Sequence, residues 1–275
     1  MTTRSKLLKR DGINQLAEGA DGYFLYNIYD KYIGASIANY GEYSGLETQF
    51  LDQLCRAGDV VVEVGANIGA HTVGIARKVG CSGRVLAFEP QRVVFQTLCA
   101  NIALNSLTNV ECYWAAVSST SGNINVPEVD FNNPQNFGGV SLLGGYPGEN
   151  VSCIMLDELR SIQRLRLLKI DVEGMETDVI KGAMGLIGKY KPFIYVENDR
   201  VAKSEALMRL IDSTGYRIYW HCPPFFNPDN PYKEHRNIFG NIHSFNLFCV
   251  HRSEKILVEG LSEVVDFTIH PLHKK

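Results

Sequence analysis

The chain reads as an α/β protein: a mostly parallel, seven-stranded sheet with helices on both faces, preceded by a small β-rich extension. Three observations predict this. From residue 59 onward, short apolar runs alternate with stretches of helical period. Several of those runs end in an acidic residue, where strands of such sheets meet their ligands. The last apolar run, residues 245–250, follows its predecessor without an intervening helix, so it can return antiparallel.

The organising unit is residues 59–90, DVVVEVGANIGAHTVGIARKVGCSGRVLAFEP. Residues 60–64 are apolar except for Glu63, the pattern of a strand buried on both faces. Gly65-Ala66-Asn67-Ile68-Gly69 predicts a turn, and Val73, Ala76 and Val79 mark one face of the following helix. Gly83 ends that helix, residues 84–88 form the next strand, and Glu89 closes it. A βαβ unit with an acid after its second strand binds the ribose of an adenosine-containing ligand. In a dinucleotide fingerprint, a second glycine lets the backbone approach the pyrophosphate. Aligned on Gly65 and Ala70, that position is Asn67, whose side chain would obstruct it. S-adenosylmethionine has no pyrophosphate, and Glu63 suits its positive charge. The turn favours S-adenosylmethionine.

Residues 1–45 precede this unit as an extension, and residues 46–275 are read as one domain. Residues 22–40 are rich in tyrosine and β-branched residues and predict one or two short strands or a hairpin. They would cover a sheet edge or form an aromatic lid over a substrate. Ser44-Gly-Leu-Glu47 fits a capping box, and Leu46, Phe50 and Leu54 recur every four residues, predicting a helix to about Arg56. After Glu89, Val94, Leu98 and Ile102 mark a helix ending near Asn105, and residues 110–114 a third strand. Ala115, Ala116 and Val117 follow, small enough to leave room for adenine. Residues 130–150 are dense in Gly, Asn and Pro and predict a long surface loop. Strands are expected at 151–156, 165–170, 192–196 and 216–220. Helices are expected along Met175, Val179, Ala183 and Leu186, and over 201–213. If strand 216–220 runs parallel, the Pro- and aromatic-rich segment 221–244 leaves from the ligand-binding rim.

Composition narrows the partners. A net charge of −3, with no basic stripe interleaved with aromatics, gives no reason to expect nucleic acid. Nothing approaches about 20 consecutive apolar residues, so no membrane span is expected. The basic N-terminus lacks an apolar run of signal-peptide length. Seven scattered cysteines without a C-x-x-C predict buried thiols in a reducing compartment, and the default location is cytoplasmic. The oligomeric state is not legible.

Three polar sets leave the ends of neighbouring late strands: Asp171 with Glu173, Glu197 with Asp199, and His221. A hydroxyl acceptor is a weak nucleophile until a base takes its proton or a metal lowers its pKa. Asp171, Glu173 and His221 are the candidate bases. The same acids with His221 could hold Mg²⁺, although no metal is assigned from the sequence. Glu173 could instead complement a helix dipole, and Asp171 could cap a helix.

VVEVGANIGAHT, RVLAFEP, LLKIDVEGME and YVENDR, in this order and spacing, resemble the FkbM-type family of S-adenosylmethionine-dependent methyltransferases. The resemblance covers roughly residues 22–250, and IDVEGME is its most specific element. It implies a class I, Rossmann-like methyltransferase fold and, usually, O-methylation of a sugar, glycan or secondary-metabolite hydroxyl. By motif position it implies cofactor contacts at Glu63, Gly65, Asn67, Gly69 and Glu89, with residues near Ala116 flanking adenine. Two rivals stand beside it: a nicotinamide-dependent oxidoreductase and a non-catalytic cofactor-binding module.

Overall fold

The computed structural model describes residues 7–9, 12–142 and 147–273. Within the basic stretch 1–12 only residues 7–9 and 12 are among them, and positions 143–146 of the expected loop lie outside them. The extension forms an antiparallel sheet of β1 (Leu7–Lys9), β2 (Asn14–Glu18) and β3 (Tyr23–Asn27). Where the tyrosine-rich composition suggested a second strand, α1 (Ile33–Tyr40) forms instead. Its Gly34 explains why: a Cβ there would lie 2.4 Å from the Asn27 carbonyl oxygen, so the glycine lets the helix lie against β3. Ile33 and Ile37 then bury beside Phe24 and Tyr26, and tertiary packing overrides strand propensity.

The helix α2 (Gly45–Leu54) starts where the capping box placed it, but the box itself does not form. Ser44 is left-handed (φ 44°), and its hydroxyl donates to the Glu47 carboxylate at 3.2 Å instead of capping backbone N–H groups. The chain continues through β4 (Val60–Val64), α3 (Thr72–Val79), β5 (Arg84–Phe88), α4 (Arg92–Leu104) and β6 (Val110–Tyr113). It then leaves the main sheet. β7 (Ala116–Val117), β8 (Gly122–Pro127) and β9 (Gly148–Ile154) make a separate three-stranded sheet, in which β9 lies between the other two. The strand expected at 151–156 therefore begins earlier and belongs to this satellite sheet.

The chain re-enters the main sheet at β10 (Leu167–Ile170). The helix expected next is two: α5 (Glu176–Lys181) and α6 (Met184–Tyr190). Gly182 and Ala183 break it, because a Cβ on Gly182 would meet the Ser118 carbonyl at 2.0 Å and the Asp157 carboxylate caps α6 at the N–H groups of Gly185 and Leu186. β11 (Phe193–Glu197), α7 (Val201–Ser213), β12 (Tyr216–His221), β13 (Asn246–His251) and a two-residue edge, β14 (Ser262–Glu263), complete the chain.

The main sheet has the order β14-β12-β13-β11-β10-β4-β5-β6. β6, β5, β4, β10 and β11 are mutually parallel, and β13 inserts antiparallel between β11 and β12. Seven strands form the expected Rossmann-like sheet, and β14 adds an eighth at the edge. Apolar clusters cover both faces: Val62, Leu86, Leu168 and Ile194 on one, Val61, Val85, Leu167 and Phe193 on the other. Successive strand residues thus face opposite layers, as a doubly covered sheet requires. The chain order reverses between β4 and β10, and at such a switch point the loops diverge and open a crevice.

Candidate active site

That crevice is lined at the switch point by the turn after β4 and the acids after β10. Gly65 has φ +83°, and a Cβ on it would lie 1.7 Å from the Asp171 carbonyl oxygen. Only glycine fits there, so the turn lies directly against the Asp171 backbone. Asn67 is also left-handed (φ 51°), and its side-chain oxygen accepts from the Ile68 N–H at 2.8 Å. Gly69 (φ +84°) donates its N–H to the Ala66 carbonyl at 2.9 Å and closes the turn without lining the crevice.

Glu89 lies opposite this turn, at the end of β5, 3% exposed. One carboxylate oxygen accepts from the Asn67 N–H (3.1 Å) and the other from the Gln91 N–H (2.8 Å). These bonds fix the carboxylate and leave each oxygen a further lone pair toward the crevice. Burial pushes its pKa up to about 7 despite the two N–H donors. Beside it is a narrow slot walled by Phe88, Pro90, Ala115, Ala116, Val140 and Met175. Part of the wall is the loop expected at 130–150, which is not purely surface: Phe137 is buried, and its carbonyl accepts from Gln91 Nε2 at 2.9 Å.

Gly65, Glu89, Asp171 and Glu173 border both the slot and a larger cavity of about 450 Å³. The cavity floor is charged. Glu63 on β4 and Lys169 on β10 are direct cross-strand partners, and Lys169 Nζ lies 3.6 Å from Glu63 and 3.5 Å from Asp171. The Thr72 hydroxyl donates to Glu63 at 2.7 Å. Burial raises the Glu63 pKa against the pull of Lys169 and Thr72. Burial also pulls Lys169 down, but Asp171, Glu63 and Glu47 more than reverse it, and its pKa lies above the ordinary value. Lys169 is therefore a fixed cation and not a base.

Glu173 is held left-handed (φ 54°) between Asp171 and Gly174, and its carboxylate pairs with Arg200. Burial and the neighbouring Asp171 push it up to about 7. Glu197, at the end of β11, is raised well above the ordinary carboxylate range by burial, Asp171 and Glu173. Carboxylate oxygens of Asp171, Glu173 and Glu197 all lie within 4.8 Å of one another.

His221 is not brought to this cluster. It lies outside the cavity lining, stacks on Phe50 at 4.3 Å, and its Nδ1 is 2.8 Å from the Tyr195 hydroxyl. Burial lowers its pKa to about 4. The upper cavity wall comes from two segments packed on each other. Tyr32 stacks on Phe239 and meets Phe225 edge-on, while Tyr40 packs on Phe226 and Phe239. Tyr32, Tyr43, Phe225 and Phe245 face the cavity.

Several residues here were not singled out from the sequence: Lys169, Glu47, His71 and Asn246. Lys169 had a legible signal, a lone charge in an apolar run aligned with the lone Glu63 in another. The others had none, because chain segments far apart in sequence bring them together. Among the described residues, His71 Nε2, Glu197 Oε2 and Asn246 Nδ2 are buried and find no hydrogen-bond partner, and all three residues line the cavity. Folded proteins rarely leave such groups unsatisfied. Their gathering in one crevice marks it as a place for a polar ligand.

Fold and site together define an α/β protein with a narrow, largely apolar slot opening onto an acidic cavity. Residues 63–218, more than half of the chain, match the model of the methyltransferase FkbM domain, and the chain belongs to that family. Family membership implies S-adenosylmethionine as methyl donor. The chain is 28% identical to Methyltransferase sdnD of Sordaria araneosa over 154 residues, covering 44% of this chain and 59% of that protein. It is 27% identical to Methyltransferase 1 of Beauveria bassiana (strain ARSEF 2860) over 191 residues, 62% of this chain and 76% of that one. Methyltransferase FkbM from Methylobacillus flagellatus KT aligns with 17% identity and a TM-score of 0.47, over 74% of this chain and 50% of that structure. The chain thus spans less than two thirds of the Sordaria protein and half of the Methylobacillus chain. Among the described residues, no helix is long and apolar enough to cross a membrane, and no cysteine is in a disulfide. Of the thiols expected to be buried, Cys55, Cys153 and Cys249 are, whereas Cys81 is exposed.

Proposed function

We propose that the chain is an S-adenosylmethionine-dependent O-methyltransferase acting on a hydroxyl of a sugar, glycan or secondary metabolite. The observation that carries this reading is Glu89, anchored by the N–H groups of Asn67 in the turn and of Gln91 beyond β5, where the slot meets the acidic cavity. Glu89 binds the ribose hydroxyls, and the slot at Ala116 takes adenine. Glu63, Gly65 and Asn67 border the methionine end, with Gly69 supporting their turn. The sulfonium methyl then points toward Asp171 and Glu173.

The acceptor oxygen attacks the methyl in line. The carbon–sulfur bond breaks, and a methyl ether and S-adenosylhomocysteine result. Asp171 or Glu173 orients the hydroxyl and takes its proton. Glu173 suits that task, since a base works best with a pKa near the working pH. His221, packed under Phe50, takes no part in this scheme. The aromatic wall of the extension and segment 221–244 favours an acceptor with ring faces, because apolar ring faces pack on aromatic side chains.

Transfer of isotope-labelled methyl from S-adenosylmethionine to a panel of hydroxylated glycans and metabolites tests the reading. Labelled methyl ether, lost in Asp171→Asn, is the expected result. Cofactor binding without turnover on any acceptor would favour the non-catalytic module instead.

A further inference from the structure

The carboxylates of Asp171, Glu173 and Glu197 lie at the ends of adjacent parallel strands, on the cavity side where the acceptor is proposed to sit. One oxygen from each falls within 4.8 Å of the others. An octahedral ion with bonds of about 2.1 Å holds its ligand oxygens about 3 to 4 Å apart, so small side-chain rotations would complete such a shell. Each acid can spare an oxygen. Lys169 engages Asp171 through Oδ2, Arg200 engages Glu173 through Oε2, and Glu197 Oε2 is buried with no hydrogen-bond partner. A second group waits beside them. Asn246, 4% exposed and paired in register with Glu197, lines the same cavity beside the Tyr195 hydroxyl, and among the described residues its Nδ2 meets no partner in good hydrogen-bond geometry.

Charge points the same way. Among the described residues, Glu63, Asp171, Glu173, Glu197 and Asp199 face only Lys169 and Arg200 as cations within ion-pair distance. Carboxylates crowded in this way must take up protons or a cation. Hard oxygen donors of this kind select Mg²⁺ or Mn²⁺ over softer metals.

We propose that Asp171, Glu173 and Glu197 form a binding site for one hard divalent cation, Mg²⁺ or Mn²⁺, at the acceptor end of the cavity. Water fills the remaining positions until an acceptor oxygen, which Asn246 Nδ2 is placed to meet as donor, displaces it. Binding of the cation is independent of the methyltransferase reading. Its use, lowering the pKa of the acceptor hydroxyl so that its proton passes to the oxygen of Asp171 or Glu173 that is not on the cation, rests on that reading.

Mn²⁺ titration of the full chain, followed by electron paramagnetic resonance, tests the site. One Mn²⁺ per chain, displaced by Mg²⁺ and weakened at least tenfold in Glu197→Gln, is the expected result. S-adenosylhomocysteine affinity within twofold of wild type shows that the variant is folded. If Glu197→Gln does not fold, Glu173→Gln is read in its place, with the same expected loss. No saturable Mn²⁺ binding to wild type, or unchanged affinity in the folded variant, overturns the proposal and leaves the methyltransferase reading standing. Mn²⁺ binding without any S-adenosylhomocysteine binding would sustain the cation site and sink that reading.

Discussion

Lowering the pH from 8 to 6 is expected to weaken S-adenosylhomocysteine binding about tenfold through Glu89 alone. The free protein holds this carboxyl at a pKa of about 7, because burial outweighs the N–H bonds from Asn67 and Gln91. Ribose hydroxyls donate to the carboxylate, so the ligand binds the ionised form. The sign follows: protonation competes with the ligand, and affinity falls as the pH drops through 7. For a pKa near 7, the ionised fraction is about nine tenths at pH 8 and about one tenth at pH 6, which is about 1.4 kcal/mol. Calorimetric titration at pH 8, 7 and 6 measures it. Glu47 and Glu173 also titrate near 7 in this cavity, so the contribution of Glu89 is the difference from Glu89→Ala. That variant should bind about 100-fold more weakly at pH 8, for the loss of hydrogen bonds to a charged acceptor worth about 3 kcal/mol together. Its fold-change in affinity between pH 8 and 6 should be about tenfold smaller than that of wild type. A wild-type Kd constant within twofold from pH 8 to 6, or the same fold-change in Glu89→Ala, would show that Glu89 does not meet the ligand as an ionised acceptor.

Other outcomes follow from the same geometry. Gly65→Ala forces a left-handed backbone on alanine and a Cβ into the Asp171 carbonyl, so thermal unfolding should show a loss of more than about 3 kcal/mol. Lys169→Met leaves the buried Glu63 and the partly exposed Asp171 without their cation and should cost about 3–5 kcal/mol in urea unfolding at pH 8, with part regained at pH 5 as Glu63, whose pKa burial already raises, protonates. Tyr32→Ala removes an aromatic face from the cavity wall. It should raise the acceptor KM about tenfold while S-adenosylhomocysteine affinity stays within twofold.

The elements legible in the sequence are those whose signal is local. β4, α3 and β5 showed as buried runs around a glycine turn, and α7 was readable to both ends from its apolar spacing. Of the satellite sheet only the later half of β9 was legible as a strand, because β7 has two residues and β8 and the start of β9 are interrupted by Gly and Asn. α1 was hidden by its strand-like composition and lacks a capping side chain at Tyr32. The site divides the same way. Glu63, Glu89, Asp171 and Glu173 follow strand ends in a recognisable order. His71, Glu47 and Asn246 meet only through tertiary folding. His221 occupies the rim position that the sequence indicated, yet Phe50 from α2 covers it, a contact 171 residues away that no local pattern encodes.

On the proposed function, the pocket formed by the β4 turn and Glu89 takes S-adenosylmethionine and not a dinucleotide. Calorimetric titration of the wild-type chain with S-adenosylmethionine, S-adenosylhomocysteine and NAD distinguishes the two. Saturable one-to-one binding of the first two, with no heat from NAD, is the predicted result. Binding of NAD in their place would contradict it.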